Sequence, residues 1–116
     1  MGANVTIYHN PRCSKSRQTL ALLAERGVEP VIIEYLSTPP DRDTLKKLLG
    51  LLGLDARALM RTKEAIYKEL NLAAVDSNDK LIDAMVANPI LIERPIVVNG
   101  DRAAIGRPPE NILEIL

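Results

Sequence analysis

Residues 4–36 read NVTIYHNPRCSKSRQTLALLAERGVEPVIIEYL, and the fold turns on how that stretch divides. NVTIYH (4–9) is a short run rich in β-branched and aromatic residues, closed by Asn-Pro, which is the pattern of a strand running into a turn. From Ser14 onward Thr19, Leu20, Leu22, Leu23 and Ala24 recur at helical spacing, and Gly27 stands where a helix stops. EPVIIEYL (29–36) is again strand-like. Strand, helix and strand within about thirty residues make a βαβ unit, whose strands run parallel with a right-handed crossover.

Beyond that unit the pattern changes. In STPPDRDTLKKLLGLLG (37–53), Pro39 and Pro40 end the second strand, and Asp41 is placed to cap a helix carrying Leu45, Leu48, Leu49 and Leu52. Further helices are expected near 63–70 and 78–87, with loops at GLDAR and NLAAVDSN, so that a helical block fills about 41–88. RPIVVNGDRAAIG (94–106) reads as two strands around an Asn-Gly turn, and PPENILEIL closes the chain as a short helix with Pro near its start. The expected order is β-α-β, a helical insertion, then β-β-α. It is an α/β arrangement in one domain of 116 residues, with no internal repeat.

Composition limits the function. Hydrophobic residues make up 47% of the chain, enough for one core, and with no Trp or Phe its packing is expected from Leu, Ile, Val and Ala, with three tyrosines as the only large rings. Fifteen basic residues balance fifteen acidic ones, which gives no general attraction to nucleic acid or to a membrane surface. One Cys cannot form an internal disulfide, the first residues lack a charged and then apolar leader, and no apolar run approaches the ~18 residues of a span. A cytoplasmic protein is expected. One His and one Cys make a poor metal site, so no metal is expected either.

The chemistry gathers in YHNPRCSKSR (8–17). Cys13 falls at the start of the first helix, and the first 24 residues hold Arg12, Lys15 and Arg17 but no acid. Free N–H groups at a helix start and nearby cations both favour a thiolate and attract an anion, so the reading is a reactive thiol at an anion-receiving helix end. Ser16 occupies the place where a dithiol oxidoreductase has its second Cys. Its hydroxyl either donates to the sulfur or satisfies backbone groups of the first turn. Cys-x5-Arg oxyanion chemistry is excluded because Thr19 stands at the Arg position.

The order of elements resembles the thioredoxin fold. More specifically, YHNPRCSKSR, EYLSTPP, RALMR, PILIERPIVV and GRPPE resemble, in order and spacing, the arsenate reductase family of the glutaredoxin-linked kind. The resemblance implies a thioredoxin-like fold in which Cys13, Arg61, Arg94 and Arg107 are catalytic. His9, Ser16, Arg17 and Pro95 are expected as substrate-binding or supporting residues, and the resemblance implies that His9 lies near the sulfur and that the Arg94–Pro95 bond is cis against the thiol. It implies reduction of arsenate to arsenite through a thiolate-arsenate intermediate on Cys13. Glutathione would be co-substrate, glutaredoxin the partner, and no cofactor tightly bound. Arginine forks suit a tetrahedral oxyanion, and a lone thiol requires an external reductant. Two other readings share the scaffold. One is a glutathione-linked thiol oxidoreductase of another substrate. The other is an Spx-type RNA-polymerase-binding regulator, against which Ser16 and the three arginines argue.

Overall fold

The structure is a computed structural model and describes residues 5–116. Asn4, expected to begin the first strand, lies outside the described residues. Two compact units result: one holds residues 5–38 and Arg94–Leu116, the other Pro39–Glu93.

The first unit is built on a four-stranded mixed sheet. Its strands are β1 (Val5–His9), β2 (Val31–Glu34), β3 (Ile96–Asn99) and β4 (Arg102–Ile105), in the order β2-β1-β3-β4. β1 and β2 are parallel, while β3 runs antiparallel to both β1 and β4. Helix α1 (Ser14–Glu25) is the crossover between β1 and β2. The fold is thioredoxin-like, as the element order predicts.

Strand alternation places Val5, Ile7 and His9 on one buried face of β1. On α1 the buried stripe is Ser16, Thr19 and Leu23, with Ala24 exposed. Val5, Ile7, Leu23, Val97, Ile112 and Ile115 form the core, and Leu20, Leu22, Val28 and Ala104 pack at its edge. Burial of each large aliphatic side chain contributes about 1.5–3 kcal/mol. The two polar residues of the stripe, Ser16 and Thr19, sit toward the N-terminal end of α1. The face that builds the core thus turns polar beside Cys13.

Three details differ from the sequence expectation. β2 is four residues long rather than eight, because the N–H groups of Ser37 and Thr38 both donate to the Glu34 carbonyl and close a turn there. In the β3–β4 hairpin, Asn99 pairs with Arg102, so the two turn residues are Gly100 and Asp101 and not Asn-Gly. Gly100 takes φ of 63°, which suits a turn with its left-handed residue first. Asn99 instead uses its side-chain amide to donate to the Ile115 carbonyl, at 2.6 Å. The C-terminal helix is a 3-10 helix, Pro109–Ile115. Its buried residues Pro109, Ile112 and Ile115 recur every third position, the period of that helix.

The second unit is helical: α2 (Arg42–Leu52), α3 (Ala56–Leu59), α4 (Ala65–Glu69) and α5 (Asn78–Ala87), with 3-10 turns at Leu72–Ala74 and Pro89–Leu91. Asp41, Asp55 and Ser77 cap α2, α3 and α5 by accepting from the N–H groups of Thr44, Ala58 and Lys80. The Asp41 carboxyl is held below its usual range by that bond. Leu45, Leu48, Leu49, Leu59, Leu81, Ile82 and Met85 are buried. α3 falls within GLDAR and the 3-10 turn within NLAAVDSN, both read as loops from sequence. Both segments are too short to show a helical period.

Candidate active site

β1 ends at His9, and the loop Asn10–Pro11–Arg12 delivers Cys13 to the N-cap of α1. The loop is fastened at several points. Cys13 N–H donates to the Asn10 carbonyl (3.0 Å), Arg12 N–H to Asn10 Oδ1 (3.0 Å), Asn10 N–H to Ser16 Oγ (3.0 Å), and Arg17 to the Pro11 carbonyl (2.9 Å). Arg17 therefore supports the loop that carries the thiol. The Cys13 side chain makes no capping bond and is only 8% exposed, and the first turn of α1 contains no acid. The sulfur sits at a helix end whose first N–H groups have no intrahelical acceptor.

Arg107 approaches this sulfur from the other half of the unit. Its NH2 group donates to Cys13 Sγ at 3.6 Å, while its Nε donates to the Arg94 carbonyl at 2.9 Å. The planar guanidinium thus spans the thiol and the backbone just ahead of Pro95. Both the Arg94–Pro95 and the Arg107–Pro108 peptide bonds are cis. Pro95 is buried and Arg94 half-buried.

Gly106 makes that approach possible, and sequence reasoning passed over it. Its N–H donates to the Pro95 carbonyl at 2.9 Å. A Cβ there would meet Thr19 Oγ1 at 2.5 Å, Pro95 Cγ at 2.8 Å and Thr19 Cγ2 at 3.0 Å. Thr19 Oγ1 donates to the Lys15 carbonyl at 2.8 Å and lies 3.5 Å from the Gly106 carbonyl. The signal available in the sequence was the glycine directly before Arg107 in GRPPE.

Ser16 and His9 form a buried pair. Ser16 Oγ lies 2.6 Å from His9 Nδ1 and accepts the Asn10 N–H. Of the two roles weighed for the Ser16 hydroxyl, backbone satisfaction is the one these bonds represent, with His9 as a partner the sequence did not suggest. Burial lowers the His9 pKa below 6.5. The Glu34 carboxylate opposes that shift, and the Arg17 charge adds to it. With His9 neutral, the Ser16 hydroxyl can accept the Asn10 N–H and donate to Nδ1, which puts the ring proton on Nε2.

Arg61 belongs to the helical unit. Its Nε donates to Glu64 (3.0 Å) and its NH1 to Glu93 (3.2 Å), with all three side chains about three-quarters buried. Two carboxylates thereby fix the guanidinium and leave its NH2 group without a hydrogen bond or ion pair to a described residue. Among the described residues no group of three or more His, Cys, Asp or Glu side chains is arranged to hold a metal ion. No helix of the described residues is long and apolar enough to cross a membrane.

Residues 8–115 match the ArsC family. The chain belongs to that family. It is 61% identical, over 100% of its length and 99% of the relative's, to the Escherichia coli K12 protein called uncharacterized protein YfgD. To the arsenate reductase of the same strain it is 50% identical, over 98% of this chain and 82% of that one. Among solved structures, the arsenate reductase from Vibrio cholerae superposes with a TM-score of 0.96 at 55% identity, covering 100% of both chains. The ArsC match takes in every site segment from the Cys13 loop to GRPPE.

Proposed function

We propose that the protein is an arsenate reductase that draws its electrons from glutathione through glutaredoxin in the cytoplasm. The observation that carries this reading is the Arg107 guanidinium, bonded at once to Cys13 Sγ and to the Arg94 carbonyl. A cation fixed on the sulfur stands ready for the negative charge of an oxyanion that the sulfur attacks. Family membership and the names of the relatives at 50–55% identity agree with it.

In the proposed reaction the Cys13 thiolate attacks arsenic and one arsenic hydroxyl leaves as water, giving a thiolate-arsenate. The glutathione thiol displaces a second hydroxyl as water. A glutaredoxin thiolate then attacks the glutathione sulfur, forming an S–S bond while the electron pair of the broken S–As bond stays on arsenic. Arsenic passes from As(V) to As(III), and hydrolysis of the Cys13–arsenic bond releases arsenite. Arg107, Arg94 and Arg61 are the proposed oxyanion ligands, with Glu64 and Glu93 orienting Arg61. His9 and Ser16 brace the loop. The chain holds only one cysteine, so no second thiol of its own resolves the intermediate. Without glutathione, mass spectrometry of the quenched reaction is expected to find one arsenic retained per Cys13. Unmodified protein after exposure to arsenate contradicts the scheme.

One observation favours a second reading, a glutathione-linked thiol oxidoreductase of another substrate. Escherichia coli K12 carries both an arsenate reductase and YfgD, and this chain is 61% identical to YfgD against 50% to the reductase. A mixed disulfide on Cys13 without arsenate turnover identifies that case.

A further inference from the structure

The two carboxylates that fix Arg61 are themselves held in different ways. Glu93 is tied to Arg61 through paired backbone: its N–H donates to the Leu59 carbonyl at 2.9 Å, the Arg61 N–H donates to the Leu91 carbonyl at 2.7 Å, and Met60 bridges Ile92 between them. Glu64 stands instead at the N-cap of α4, a helix of five residues with no side-chain capping bond. Its backbone links are turn bonds, from Glu64 N–H to the Arg61 carbonyl (3.2 Å) and from Tyr67 N–H to the Glu64 carbonyl (3.1 Å). A helix of that length does not hold itself in water.

Arg57 supplies a hold from outside α4. The start of α3 is fastened to α5, because Ala56 N–H donates to Asn78 Oδ1 at 2.8 Å. From the next residue the Arg57 guanidinium reaches three acceptors. Its NH1 donates to the Tyr67 hydroxyl on α4 and to the Leu72 carbonyl (3.3 Å), and its NH2 donates to the Val75 carbonyl. Tyr67 and Leu72 are buried and Arg57 is half-buried. None of the three acceptors is a carboxylate, so the contact is a directional clamp and not an ion pair. It joins α3 to α4 and to the 3-10 turn that follows α4, and on α4 it acts one turn from Glu64.

We propose that Arg57, acting through Tyr67, is a positioning residue for Arg61: it keeps the first turn of α4 in place, so that Glu64 holds Arg61 Nε in the orientation an oxyanion needs. This rests on the reading of Arg61 as an oxyanion ligand. All of these residues belong to the helical unit, so the clamp works within it. Without a fixed Glu64, the guanidinium would keep only its NH1 contact to Glu93 and could swing about it. A misdirected fork loses binding in the ground state and the transition state alike, so the loss falls on KM and leaves kcat near its wild-type value.

The test uses the full chain and two readouts, the Arg61 Nε–H signal in nitrogen-15 NMR spectra, assigned by its loss in Arg61→Lys, and the kinetics with arsenate, glutathione and glutaredoxin. Tyr67→Phe removes one hydroxyl and keeps the buried ring, so it spares the fold even if Arg57→Lys does not. Both variants are expected to move the Nε–H signal toward its position in Glu64→Gln. Both should raise KM for arsenate about three- to tenfold, the range of one lost hydrogen bond, with kcat within about twofold of wild type. In a Glu64→Gln background neither should raise KM further, whereas a merely structural contribution would add in full. An unmoved signal in Tyr67→Phe overturns the proposal, as does a moved signal with unchanged KM, or a KM effect that persists undiminished in Glu64→Gln. If the signal moves as expected while the wild type turns over no arsenate, the hold of Arg57 on Arg61 stands and the arsenate reading falls.

Discussion

Gly106→Ala is the perturbation whose size is most directly fixed by the structure. The new Cβ is placed 2.5 Å and 3.0 Å from two atoms of the Thr19 side chain and 2.8 Å from Pro95 Cγ. Thr19 is fully buried and is held through Oγ1 to the Lys15 carbonyl, and Pro95 is buried and ring-locked, so neither neighbour yields as a flexible surface chain does. Overpacking of this kind costs about 1–3 kcal/mol. At roughly 5 °C per kcal/mol for a domain of this size, Tm falls by ~5–15 °C in a calorimetric or dichroism melt. The Gly106 N–H also anchors the segment to the Pro95 carbonyl, and Arg107 follows at once, so displacement carries the guanidinium away from Cys13. Thr19→Ala removes two of the three clashing atoms, so the double variant should be at least ~0.5 kcal/mol more stable than the sum of the single changes. An unchanged Tm in Gly106→Ala, or strict additivity with Thr19→Ala, refutes the close-packing argument.

Two further predictions concern the groups around Cys13. His9 has a lowered folded pKa, so below pH 6.5 the unfolded chain takes up a proton that the folded chain refuses; stability is fully present above 6.5 and declines as pH falls toward the folded value. Urea midpoints for wild type minus His9→Asn, followed from about pH 7.5 down to about pH 5, should fall across that interval, and a flat difference contradicts burial of a neutral imidazole. Arg107→Lys should lose oxyanion turnover nearly as fully as Arg107→Ala, about tenfold or more, because an ammonium cannot occupy the Cys13 and Arg94 positions together in one plane. Recovery of wild-type turnover by Lys shows that charge alone suffices.

The residues that hold the nucleophile were legible because short-range physics places them. β1, the Cys13 loop and α1 follow one another within the first 25 residues, and alternation in β1 with helical spacing in α1 is enough to bring them together. The family membership rests on motifs spread through the chain, and these too were readable in order. Contacts between distant segments were not. Nothing in the sequence alone pairs Ser16 with His9, since both side chains had simpler local roles. Gly106 drew no reading from the sequence, because the residue that crowds it, Thr19, is 87 positions away. The hairpin slipped by one residue because Asn99 is drawn to the C-terminal 3-10 helix, a tertiary bond that overrides a local turn signal.

Arsenite production by the purified protein, measured with glutathione plus glutaredoxin, with glutathione alone and with thioredoxin alone, tests the central claim most directly. Full turnover is predicted only when glutathione and glutaredoxin are both present, slow turnover with glutathione alone, and none with Cys13→Ser. Full turnover on thioredoxin without glutathione contradicts the proposed electron route, and absence of arsenite under every reductant, with glutathione still found on Cys13, contradicts arsenate as the substrate.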